Sequence, residues 1–178
     1  MRATLFSSFP ILTTPRLTLR QLAAADAHDL YVLRTNEAVN RFIDRPIPRA
    51  IDEVDSFIKT INRGIAQNEW LYWAIILKKE NQLAGTICLW QFSSEKNSIE
   101  LGYELLPQFQ GKGIMQEAFE IVVDYGFHHL HLQSMEAYTH RDNTPSITFL
   151  ERNGFRRTGK VGEDPPLEEF VLVKDVAM

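Results

Sequence analysis

Ser98-Ile99-Glu100-Leu101-Gly102-Tyr103-Glu104-Leu105-Leu106-Pro107-Gln108-Phe109-Gln110-Gly111-Lys112-Gly113-Ile114-Met115-Gln116-Glu117-Ala118 is the stretch that decides the fold. Apolar residues alternate from Ile99 to Leu105, the period of a strand with one covered face. Pro107 cannot donate to a ladder and ends it. Past Gly113, the spacing of Met115, Ala118, Phe119, Val122 and Val123 is helical, so this helix packs flat on the sheet. It opens without a capping side chain, which leaves several backbone N–H groups bare and a partial positive charge beside them. Gly111 and Gly113 let a ligand approach the main chain closely, and an anion such as phosphate belongs there.

Two familiar phosphate loops do not fit. A P-loop has Gly-Lys followed by Ser or Thr, whereas Lys112 precedes Gly113 and Ile114. The dinucleotide fingerprint requires a further glycine where Gln116 stands.

Outward from this stretch, Leu17 and Leu19 alternate with Thr18 and Arg20, predicting an early strand. Asp26 can cap a helix through Leu30 and Leu33, and a short helix is expected from Glu37 to Phe42. Asp44 to Arg49 is a loop on proline grounds. Ile51, Val54, Phe57, Ile58, Ile61 and Ile65 form one helical apolar face. Trp70 to Lys78 and Leu83 to Phe92 predict an antiparallel hairpin. The strand expected over Leu132 to Tyr138 follows the loop helix, and strand, helix, strand is the parallel crossover unit. Asn143 or Thr144 can start another helix, with Pro145 in its first turn and Asn153-Gly154 at its stop. Phe155 to Lys160 and Glu168 to Val173 predict a last hairpin. The fold class is therefore α/β: a mixed sheet with helices on both faces, in one domain spanning 1–178.

Composition narrows function without naming it. The 178 residues suffice for a sizeable core, and a formal charge of −4 argues against a nucleic-acid binder while suiting a cationic substrate. Cys88 is the single cysteine, so no internal disulfide forms; within its apolar run it is expected as a buried core thiol rather than a nucleophile. No apolar run approaches the roughly 20 residues that span a bilayer, and the stretch after Arg2, interrupted by Ser7, Ser8 and Pro10, is a poor leader, which makes the cytoplasm the expected location. His128, His129, His131 and His140 lack ligand spacing, so no metal is expected.

Gln110-Gly111-Lys112-Gly113-Ile114-Met115 resembles the cofactor loop of the GNAT N-acetyltransferases; Met115 departs from the usual Gly or Ala, and its larger side chain would crowd the pyrophosphate unless it turns into the core. Ile99-Glu100-Leu101-Gly102-Tyr103 and Thr14-Pro15-Arg16-Leu17-Thr18-Leu19-Arg20 resemble the Rim-type branch, which includes ribosomal-protein N-terminal acetyltransferases. Asn143 to Phe155 is similar to the family's second cofactor segment. The resemblance implies the GNAT acyl-CoA N-acyltransferase fold, with a central, mostly antiparallel sheet, and an enzyme moving acetyl from acetyl-CoA, its co-substrate, to a primary amine in a ternary complex. A protein N-terminal α-amine is the acceptor it favours. A polyamine, amino acid or antibiotic is the alternative, as is a non-catalytic acyl-CoA-binding module. No nucleic-acid or membrane partner is implied, and a homodimer is left open.

By the same resemblance, the amides of Leu105 and Leu106 pair with the pantetheine arm, and the loop from Gln110 to Met115 holds the phosphates. Lys112 either adds charge there or is a solvated surface residue. Glu100 is the proposed base, or else a salt-bridging strand residue; flanked by Ile99 and Leu101 it could have a raised pKa suited to that task. The usual acidic tyrosine is replaced by Leu150. Ser146 is then a candidate proton donor, or a helix cap; Tyr138 is a second candidate, or a packing aromatic. Asn143 resembles the asparagine that binds the pantetheine arm and can also cap its helix. Arg152 either reaches the adenosine phosphate or stays on the surface.

Overall fold

The computed structural model describes residues 6–162 and 164–174, so the Arg2 end of the leader reading lies outside the described residues. Eight strands form one sheet in the order β1-β2-β3-β4-β5-β6-β8-β7. In chain order they are β1 (Leu12–Thr13), β2 (Leu17–Arg20), β3 (Leu71–Leu77), β4 (Gln82–Ser93), β5 (Ser98–Leu105), β6 (Ser134–His140), β7 (Arg156–Val161) and β8 (Leu167–Val173). Only β5 and β6 run parallel, and they pair over three residues: Ser98 with Ser134, Ile99 with Met135 and Glu100 with Glu136. From Leu101 onward β5 stays on β4 and leaves β6, so the sheet splays there.

Helices cover both faces. α1 (Ala27–Thr35), α2 (Glu37–Asn40) and α3 (Ile51–Ala66) precede β3, α4 (Ile114–Asp124) follows β5, and α5 (Thr144–Arg152) follows β6. Leu30, Leu33, Val54 and Ile58 pack with Ala74, Ile76 and Leu83 under α1 and α3. Opposite, Met115, Ala118, Phe119 and Val122 of α4 pack with Ile99, Leu101 and Leu105 of β5. Phe119 anchors that side, edge-on to Phe149 at 5.0 Å, Phe155 at 5.8 Å and Tyr103 at 6.0 Å.

Three local features differ from expectation. Asp26 does not cap α1 through its side chain; it is buried and takes two hydrogen bonds from Arg20, at 2.7 and 2.8 Å, because a charge at that depth needs a partner. Residues Tyr125–His129 continue α4 as a wider π turn, so the next strand begins at Ser134 rather than Leu132. Cys88 is only partly buried, because its cross-strand neighbour on β5 is Gly102, which has no side chain to cover it.

Candidate functional site

The phosphate-type loop is held from outside. Gly111 and Gly113 both take left-handed backbone conformations, with φ of 70° and 72°. Arg16, in the turn before β2, donates to the carbonyl of Lys112 at 2.9 Å and to that of Gly113 at 3.0 Å. Glu117, one turn into α4, takes hydrogen bonds from the Arg16 backbone at 2.9 Å, from the Arg16 side chain and from the Thr14 hydroxyl. Burial opposes its ionisation, but these donors outweigh it and hold the carboxyl below its usual range. With those two carbonyls turned to Arg16, the following amides face the other way. Among the described residues, no side chain caps α4 and nothing lies within 4 Å of where a Cβ on Gly111 would stand. Bare donors beside open space suit a diphosphate.

A cleft of about 1110 Å³ runs from this loop along the splay, lined among others by Leu105, Gln110, Gly111, Asn143, Ser146 and Arg152. Met115 lines it too but is 9% exposed, its side chain turned into the core, so it does not obstruct the loop. Lys112 does not line the cleft; its ammonium lies 6.0 Å from the Phe109 ring. Of the two expected strand-end amides, Leu106 is a correction: its N–H donates to Ala84 at 2.9 Å, and its side chain is buried under α1 and α3. Neighbouring residues alternate across a ladder, so the Leu105 N–H points into the splay instead. The Gln110 side chain donates to the Leu105 carbonyl at 3.0 Å and so fixes the Leu105–Leu106 peptide plane.

A second cleft of about 840 Å³ lies on the α1 and α3 side, over Glu100, Gly102 and Glu104. Both clefts reach Leu101, Gly102, Tyr103, Glu104 and Tyr138, so they meet where β5 leaves β6. Glu100 faces this junction half-buried. Desolvation raises its pKa to about 7; a hydrogen bond from Trp90 opposes the shift, and Glu136, paired with it across the parallel ladder, adds to it. Glu104 forms a buried ion pair with Arg45 at 2.7 Å and accepts from Thr86 at 3.1 Å. Burial first, then the charge of Glu104, pushes the Cys88 thiol up to about 12, so it stays protonated.

On the other side of the junction, the Ser146 hydroxyl lies 2.9 Å from the Tyr103 hydroxyl. Asn143 accepts from the Ser146 backbone at 3.4 Å and so caps α5 while lining the cleft. Burial raises Tyr103 to about 12, the bond to Ser146 partly opposing it, so the phenol keeps its proton. Tyr138 lies on the Glu100 face; its hydroxyl donates to Glu169 at 2.8 Å and Glu136 at 3.3 Å. Burial, followed by those carboxylates, raises its pKa well above the usual phenol range.

Sequence reasoning passed over Arg16, Glu117 and Tyr103. The first two are about a hundred residues apart, and no periodicity links them. Tyr103 carried a signal, since strand alternation puts it on the face opposite Glu100, toward the loop helix. Among the described residues, no group of three His, Cys, Asp or Glu could hold a metal ion, and no helix is long and apolar enough to cross a membrane.

Residues 16–156 match the model of an acetyltransferase (GNAT) domain. An uncharacterized N-acetyltransferase of Bacillus subtilis, YoaA, is 31% identical over 151 residues, covering 85% of each chain. Among solved structures, spermidine N-acetyltransferase from Vibrio cholerae in complex with CoA and spermine has a TM-score of 0.76 at 20% identity, over 90% of this chain and 96% of that one. The microcin C7 self-immunity acetyltransferase MccE, in complex with acetyl-CoA and AMP, has a TM-score of 0.79 at 22% identity, over 96% of this chain and 99% of that one.

Proposed function

The chain belongs to the GNAT acetyltransferase family and is an acetyl-CoA-dependent N-acetyltransferase; we propose that it acts by direct attack in a ternary complex, with a peptide or protein α-amine as acceptor. The observation that carries this is the meeting of two clefts at the splay, with a carboxylate on one side and a hydrogen-bonded hydroxyl pair on the other. The thioester supplies an activated acetyl carbonyl.

The chain's own groups supply the rest. The loop amides after Gly111 and the start of α4 hold the diphosphate, with Arg152 toward the adenosine end and Asn143 beside the pantetheine arm. Lys112 contributes long-range charge only. The Leu105 N–H donates to the carbonyl oxygen as negative charge grows there. Glu100 accepts the proton that the attacking nitrogen loses, and a pKa of about 7 matches that task near neutrality. Ser146 hands its hydroxyl proton to the departing sulfur while the Tyr103 hydroxyl, 2.9 Å away, hydrogen-bonds the serine oxygen, which regains a proton from solvent once CoA leaves the open cleft. Tyr138 serves this role less well, because its proton is shared with two carboxylates.

The acceptor class rests on the Rim-type resemblance of the β5 and β2 motifs and on proton energetics. An α-amine titrates near 8 against roughly 10.4 for lysine, so freeing it costs about 3 kcal/mol less. Thiol release from acetyl-CoA, followed with N-terminal peptides, a lysine side-chain amine and a polyamine, tests the reading. Release with the peptides, and an acetyl mass on their α-nitrogen, is expected. CoA binding without release from any amine would overturn it in favour of a binding module.

A further inference from the structure

The cleft over Glu100 is polar at both ends, and the ends differ in sign. Glu100 and Glu136 stand at the splay, where an amine must arrive. Gly102 forms the floor; a Cβ there would come within 3.2 Å of the Cys88 sulfur, so the glycine keeps the passage open. Four residues along the same face of β5, about 13 Å at the usual strand rise of roughly 3.3 Å, Glu104 is already matched by Arg45. Beyond that pair the charge is unbalanced. The Arg34 guanidinium lies 3.9 Å over the Phe57 ring and, among the described residues, has no ion pair of its own, only the charge of Glu104 that Arg45 already pairs. Among the described residues, Arg41, over Phe42 at 5.1 Å, adds a second cation without an ion pair at the mouth, and one buried nitrogen of Arg45 has no acceptor. Asp44 is the acidic group on this rim, and it is exposed.

An arginine cannot shed its proton to escape burial, so a half-buried guanidinium that has only a share in an already paired carboxylate gains when an anion joins it. Burial, and after it the charge of Arg45, lowers the pKa of Arg34, and the charge of Glu104 offsets this only in part. We propose that this cleft selects an acceptor whose end remote from the amine carries an anionic oxygen group, a carboxylate or a phosphate, held by Arg34. The separation of the two ends means that amine and anion sit at opposite ends of an extended chain, not on one carbon. A polyamine would instead set a second ammonium against Arg34.

This inference rests on the acetyl-transfer reading, and the experiment separates the two. Thiol release is measured with a short glycine peptide bearing a free C-terminal carboxylate, its C-terminal amide, a diamine of equal length, and an aminoalkyl phosphate with its alcohol. The acid and the phosphate are expected to exceed their neutral partners at least about tenfold in kcat/KM, mostly through KM, and the faster of the two names the anion. Arg34→Gln should bring each ratio close to one and Arg34→Lys should keep most of it, with CoA affinity and melting temperature confirming a folded protein. Equal rates for acid and amide, a faster diamine, or an unaltered ratio in R34Q would overturn the inference while leaving acetyl transfer intact. Absence of release from every amine would instead overturn the acetyl-transfer reading beneath it.

Discussion

Replacing Glu100 by Gln keeps the size of the side chain and removes its charge, and the two consequences run in opposite directions. A base with a pKa of about 7 gives kcat/KM an ascending limb centred there; at pH 6 only about a tenth of the carboxyl is ionised, and activity falls in proportion. In E100Q that limb should vanish, and the plateau rate should drop by roughly 10²-fold or more, the usual contribution of a positioned base. CoA affinity should not change, because Glu100 lies on the opposite face of β5 from the loop cleft. Stability should rise. Burial lifts the carboxyl from 4.5 to about 7, so the native state retains a proton that the unfolded chain releases. The favourable contribution of protonated Glu100 is complete below pH 4.5 and is lost as pH rises through 7. At pH 8 the ionised group therefore opposes folding. Full burial would make that about 3 kcal/mol, and the half-exposed position reduces it to about 1 kcal/mol. Thermal melts of both proteins at pH 5 and pH 8, beside thiol-release profiles, read both effects. A retained limb near 7, or an E100Q protein no more stable than the parent at pH 8, would refute the assignment.

Glu117→Gln weakens the hold of Arg16 and Thr14 on the loop; the KM for acetyl-CoA should rise about tenfold, equivalent to 1.4 kcal/mol, with kcat little affected, as measured by initial rates at saturating amine. Ser146→Ala should lower kcat about 10²-fold if its hydroxyl protonates the leaving sulfur; Tyr103→Phe, which removes the hydrogen bond to the serine oxygen, should lower it less, and full activity in S146A would remove the serine from this role. Phe119→Ala empties an aromatic cluster in the core and should cost about 3–5 kcal/mol in denaturant unfolding.

Much of the scaffold was legible along the chain because strand and helix periods are local. Alternation over Ile99 to Leu105, the stop at Pro107 and the glycines after Gln110 put β5, the loop and α4 in order, and the crossover to β6 follows from them. Boundaries blurred where the period itself changed, as at Tyr125–His129, where a π turn delays β6. Cys88 stays protonated as expected, but it lies at a cleft floor and not under a closed core, because its cross-strand neighbour is Gly102 on another strand. Of Leu105 and Leu106, the chain alone could not tell which amide was free, since that depends on which face of the ladder β4 occupies.

By itself, the sequence determined the order of the elements, the family and the backbone chemistry of the loop, all fixed by neighbours within a few residues. Tertiary structure decided the rest. The splay of β5 from β6, the Arg16–Glu117 clamp and the approach of Tyr103 to Ser146 join segments tens of residues apart, and their distances are set by packing against a shared sheet. The pKa of Glu100 belongs there as well, because desolvation is a property of the surroundings and not of the residue.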